Sequence, residues 1–337
     1  MTVHAARETA RQWVIGQAAG IPGFRGGYTA GSTNWRPGDA ALPAGSDFDI
    51  MVVLADPAQA STRGKFRFRD LLLDPSYVNE NQLQSAGQVL ADYHLAPSLE
   101  TAAILLDPTG HLAALQQLVR RDYADSQWVR HRCAAASDRI LRHLRSLDDR
   151  SPVHDQAIAC LFGTGVTTHV LLVAGLRNPT IRARYVAVRE LLAERDLLDF
   201  HELLLDLLGA ARITRVRALQ HLAALAEIFD RAAKATPPPF PFASDLSDIA
   251  RPIAIDGSLD LIECGYHREA MFWIAVTHSR CRKALSPDAP SESYLDVLAD
   301  LGISSPAEIR RRAAAAEHSL PQLWNLADRI ISRTQRP

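Results

Sequence analysis

Cysteine is scarce in this chain of 337 residues, and the four present, Cys133, Cys160, Cys264 and Cys281, lie far apart with no Cys-x-x-Cys pair. That spacing suggests neither a disulfide framework nor a zinc site, and it reads as buried or incidental thiols in a reducing compartment. A surplus of either charge is also missing. Lys plus Arg total 37 against 38 for Asp plus Glu, for a formal net charge of -1. A dedicated polynucleotide binder carries a basic excess, so nucleic acid is not the expected partner. The opening residues lack the continuous apolar stretch of a secretory signal, and apolar runs elsewhere are interrupted by arginine, acid or histidine. The expectation is therefore no membrane span and a cytoplasmic location. Internal repeats are absent as well.

What is present is a soluble composition, 47% hydrophobic and 22% charged, in a chain long enough for two domains. The N-terminal third alternates helix and strand signals. A helix is expected over 2–19, strands over 26–30, 47–54, 66–74 and 102–107, and a helix over 80–93. From 111 onward Leu, Ala and Arg recur at helical spacing, giving expected helices over 112–124, 126–147, 155–176, 180–192, 200–208, 214–235, 263–285 and 306–333. Thr236-Pro237-Pro238-Pro239-Phe240-Pro241 reads as a stiff connector between two of them.

The chemistry concentrates in one stretch. Gly31-Ser32-Thr33-Asn34-Trp35 is followed by Asp47-Phe48-Asp49-Ile50-Met51-Val52-Val53-Leu54. Alternate side chains of a strand share a face, so Asp47 and Asp49 point together while Phe48, Ile50 and Val52 point the other way. Two like charges on one face call for a cation, and a divalent ion held by oxygen ligands supplies it. A third carboxylate is available on the next strand as Asp70 or Asp74. The two share a face by parity, so alternation leaves both open. If that strand pairs antiparallel with the one beginning at Asp47, its end lies beside Asp47 and Asp74 is favoured.

This arrangement resembles the nucleotidyltransferase superfamily, in which a Gly-Ser turn and a loop precede Asp-x-Asp on a strand, with a further acid on the next one. Leu72-Leu73-Asp74 looks like the apolar-apolar-acid pattern of its small-molecule branch, which includes aminoglycoside-modifying enzymes. The resemblance implies an α+β protein. An N-terminal nucleotidyltransferase domain, a mixed β-sheet with flanking helices over 1–115, would be followed by an all-α, substrate-binding domain over 116–337. It implies transfer of a nucleoside monophosphate from an NTP, with ATP as first candidate, to a hydroxyl of a small molecule, with Mg2+ as cofactor. Asp47, Asp49 and Asp74 would be catalytic and metal-binding. Gly31, Ser32 and Thr33 would meet the triphosphate, and Arg182 and Arg184 of the helical half would add cations.

Other helical candidates are Tyr185, Arg189 and the group His267, Arg268, Glu269, Trp273, His278, Arg280 and Lys283. Two rivals stay open. One is a non-catalytic nucleotide-binding or protein-interaction module of the same fold, and the other is nucleotidylation of a protein or polynucleotide, the polynucleotide supported only by the arginine groups at Arg182 to Arg189 and Arg310 to Arg312.

Overall fold

The computed structural model describes residues 1–43, 46–59, 64–235, 240, 242–285 and 292–334. The chain is an α+β protein that forms two compact units, Met1–Arg132 and Cys133–Pro337.

The first unit opens with α1 (Val3–Gly16), whose N-cap Thr2 accepts from the Ala5 amide. Val3, Ala6, Ala10, Trp13 and Val14 recur at helical spacing and are buried. They cover one face of a five-stranded sheet made of β1 (Phe24–Thr29), β2 (Phe48–Leu54), β3 (Phe66–Phe68), β4 (Leu71–Asn79) and β5 (Ile104–Leu106). The strand order is β3-β4-β2-β1-β5. Phe48, Ile50, Val52 and Leu54 of β2 join Leu71 and Leu73 of β4 in the core under α1, as the alternation requires. Three helices complete the unit, α2 (Ala86–Ala91), α3 (Leu95–Thr101) and α4 (His111–Asp122), and α5 (Ser126–Arg145) spans the boundary.

Two expectations for this unit need correction. The segment 66–74 is not one strand ending at Asp74. It is a hairpin that turns at Arg69 and Asp70, with Arg69 at φ 54, and Asp74 lies inside the outgoing strand. Because the chain reverses there, β4 runs parallel to β2, whereas antiparallel pairing was expected. The stretch 80–93 is likewise broken, into a single 3-10 turn (Glu80–Leu83) and the short α2, which Ser85 caps by accepting from the Gln88 amide.

The second unit is helical: α6 (Val153–Ala174), α7 (Arg184–Glu194), α8 (Phe200–Leu208), α9 (Arg215–Ala232), α10 (Arg251–Ala254), α11 (Asp256–Glu263), α12 (His267–Ala284), α13 (Glu292–Asp300) and α14 (Pro306–Thr334). Its core is α6, against which α7, α8, α12 and α14 pack. At 22 residues, with mean hydropathy 1.8 over its most apolar window, α6 is long and apolar enough to cross a membrane, contrary to the expectation that no run is. That window is 83% buried inside the protein, which accounts for its composition as a core helix surrounded by other helices. The helix expected over 263–285 starts at His267, because Gly265 at φ 90 separates it from α11. Most of the proline connector, 236–239 and 241, lies outside the described residues.

Candidate functional site

The pairing of β2 with β4 brings the acids together. In that parallel ladder Asp49 is the direct partner of Asp74, and side chains directly opposite on neighbouring strands project from the same face. Asp47, two residues before Asp49, shares the face by the period of the strand. One carboxylate oxygen from each of Asp47, Asp49 and Asp74 lies within 4.8 Å of the others, and all three residues are half-buried. Asp70 is exposed on the hairpin turn.

The row extends one strand further. β3 pairs antiparallel with β4, with Phe66 opposite Leu73, so the next step places Lys65 opposite Asp74. Its ammonium lies 2.5 Å from Asp74 Oδ2 and 3.3 Å from Asp47 Oδ2, with the side chain 10% exposed. Sequence reasoning missed this residue. A signal existed, since Lys65, Lys234 and Lys283 are the only lysines of a chain whose other basic side chains, among 37, are arginines.

Gly31 is fixed by the acid opposite it. It sits at φ 71 and ψ -165, in a region open essentially to glycine alone, and a Cβ built there would lie 1.7 Å from Asp49 Oδ2. The backbone therefore passes directly against the Asp49 carboxylate. Ser32 then opens a 3-10 turn (Ser32–Trp35) and is exposed. Thr33 is buried, and its hydroxyl donates to the Ala30 carbonyl at 3.4 Å. Asn34 donates to the Thr29 carbonyl at 2.9 Å and accepts from the Thr29 hydroxyl at 2.6 Å. Thr33 and Asn34 thus shape the turn, while Gly31 and Ser32 present its outer side.

The remaining sequence candidates belong to the helical unit. Arg182 donates to the Ile253 carbonyl at 2.7 Å. Arg184 is buried, with its guanidinium 4.2 Å from the Phe272 ring centroid and 5.5 Å from that of Phe162. Tyr185 is enclosed beside it, and burial pushes its phenol well up. Arg268 grips Glu202 through both terminal nitrogens at 2.8 and 2.9 Å, Arg280 meets Asp245 at 2.8 Å, and Lys283 meets Asp155 at 2.5 Å. Arg310 pairs with Asp149, and Arg312 donates to the Asp206 and Leu301 carbonyls.

Glu269 and His201, 3.7 Å apart, are both buried. Desolvation raises the Glu269 carboxyl above its ordinary value, and burial pushes the His201 imidazole down to about 4. Both changes favour the neutral forms. Arg189 Nε stands 3.9 Å from the same carboxyl.

No family model matches the chain, and no curated protein matches it. Among solved structures it aligns with a nucleotidyltransferase-like protein from Exiguobacterium sibiricum 255-15, at a TM-score of 0.32 and 16% identity, over 77% of this chain and 91% of that one. Likeness of that extent adds nothing to what the geometry of the acid row supports.

Proposed function

We propose that the acid row on β2 and β4 is the centre of a nucleotidyltransferase that moves a nucleoside monophosphate from an NTP, with ATP as first candidate, to a hydroxyl of a small molecule. The observation that carries this reading is the convergence of Asp47, Asp49 and Asp74 within 4.8 Å, beside a glycine turn that approaches Asp49 closely. Three carboxylates are the hard oxygen donors that magnesium takes, and two or three protein ligands leave its other positions for phosphate oxygens and water.

Asp47 and Asp49 would hold the ion. When bound, it neutralises charge on the triphosphate oxygens and orients them for displacement. Asp74 stands next to Asp49 and can complete the ion's ligand set or accept the proton of the attacking hydroxyl. The Gly31–Ser32 turn offers a backbone without a Cβ and an exposed hydroxyl to the phosphates. In the transfer the acceptor oxygen bonds to the α-phosphorus as the bond to the bridging oxygen breaks, and pyrophosphate leaves.

The test is pyrophosphate release from each NTP with magnesium and a panel of hydroxylated compounds. The native protein turns over with at least one pair, and Asp49→Asn does not. Equal turnover by Asp49→Asn would refute the assignment.

A further inference from the structure

Lys65 immediately precedes β3, one residue beyond the last ladder pair, Phe66 with Leu73. Antiparallel register carries it opposite Asp74, and its single ammonium spans Asp74 Oδ2 at 2.5 Å and Asp47 Oδ2 at 3.3 Å. Lysine suits this position, because a compact point charge on a flexible stem fits between two carboxylates, whereas the arginine fork favours bidentate pairing with one. Two carboxylates drawn toward one point repel each other unless a cation stands between them. A magnesium ion held by Asp47, Asp49 and Asp74 would draw on the same carboxylates. An ammonium held against Asp74 and Asp47 repels a dication at the same place and competes with it for these carboxylates.

We propose that Lys65 is a positioning residue and the resident counter-cation of the row: it holds Asp47 and Asp74 together in the metal-free protein, and its ammonium is displaced when a divalent ion binds. The inference rests on the metal-centred reading above and deepens it. Lys65 lowers the affinity of the row for a free divalent ion, because the ion must break an ion pair to enter. An ion arriving with a triphosphate brings anionic oxygens that can receive the displaced ammonium, so the penalty falls on the metal alone. The protein then favours the metal–nucleotide complex over the free ion through a residue that is not a metal ligand.

Titration calorimetry with MnCl2 in the absence of nucleotide tests this on native protein and on Lys65→Met, Lys65→Gln, Lys65→Arg and Asp49→Asn. Lys65→Met is expected to bind Mn2+ about tenfold more tightly than native protein, a coupling of ordinary size between two linked sites. Lys65→Arg, which keeps a positive charge beside the acids, binds Mn2+ more weakly than Lys65→Met, and Asp49→Asn does not bind. Loss of Lys65 both removes the competing charge and loosens the acids, and the proposal requires the first effect to dominate; a lysine that only holds the acids in place would give weaker Mn2+ binding on its removal. Lys65→Gln carries the same expectation if Lys65→Met does not fold. Unchanged or weaker Mn2+ binding in the folded neutral variant would overturn the role of Lys65 and leave the metal site standing. Absence of Mn2+ binding in every protein, native included, would overturn the metal site as well.

Discussion

Gly31 and Asp49 face each other so closely that neither can be changed without a visible effect. Alanine at 31 would have to accept a glycine-only backbone conformation and a Cβ 1.7 Å from the Asp49 carboxylate. Gly31→Ala is expected to lose about 1–3 kcal/mol of stability from the strained backbone alone, read as a lower denaturant midpoint, and to lose Mn2+ binding with it. Asp49→Asn should instead keep or slightly gain stability while losing metal-dependent activity, since it removes one of several crowded carboxylates. The same reasoning separates the two later acids. Asp74→Asn should reduce turnover by about a hundredfold or more, as for loss of a proton acceptor, while Asp70→Asn on the exposed turn should leave it unchanged. Comparable pyrophosphate release from both would remove the assignment.

Histidines of the helical unit set a pH dependence. His278 is fully buried, and burial pushes its imidazole down from 6.5 to about 3, as it pushes that of His201 to about 4. Below pH 6.5 the unfolded chain takes up protons that these folded sites refuse, so stability is lost as pH falls. The loss is at most about 1.4 kcal/mol per pH unit for each such histidine. Neither ring nitrogen of His278 finds a hydrogen-bond partner among the described residues. His278→Leu should therefore flatten the stability profile below pH 6.5 without lowering stability at pH 8, measured by urea denaturation across that range.

At the scale of elements, the sheet succeeds because a hairpin and a parallel pair work together. The turn at Arg69 and Asp70 reverses the chain, so β4 can lie parallel to β2 while β3 takes the outer edge. The result is a row across three strands, Lys65, Asp74 and Asp49, with Asp47 one step along. In the helical unit, α6 is threaded between partners through small residues. A Cβ on Gly165 would lie 2.8 Å from the Phe272 ring and 2.9 Å from Arg184 Nη1. Gly165→Val is thus expected to cost about 1–3 kcal/mol, the usual penalty for overpacking, visible as a lower thermal midpoint.

Period-two alternation made β2 and the shared face of Asp47 and Asp49 legible in the sequence, and helical spacing gave α8 at its observed bounds of 200–208. The hairpin was not legible, because an arginine occupies the positive-φ position where glycine or asparagine would have announced a turn. Asp74 was favoured through an antiparallel pairing that does not exist, and parallel register brings it to Asp49 all the same. The place of Lys65 depends on that register, which only the folded sheet supplies.

For the whole molecule, near-balanced charge has a direct consequence. Binding to a phosphate backbone releases counterions and weakens steeply with salt. With 37 basic against 38 acidic side chains, and with Arg268, Arg280, Lys283 and Arg310 already paired to carboxylates, single- and double-stranded RNA and DNA should bind weakly at physiological ionic strength. Tight, salt-sensitive RNA binding that competes with a triphosphate would replace the small acceptor with a polynucleotide. The most direct measurement is the thermal midpoint of native protein and Asp49→Asn with each nucleoside triphosphate, with and without magnesium, because a ligand that binds only the folded state raises it. A nucleotidyltransferase centred on Asp47, Asp49 and Asp74 gives a rise with at least one triphosphate, only when magnesium is present, and not in Asp49→Asn. No rise with any triphosphate, or the same rise in Asp49→Asn, would contradict it.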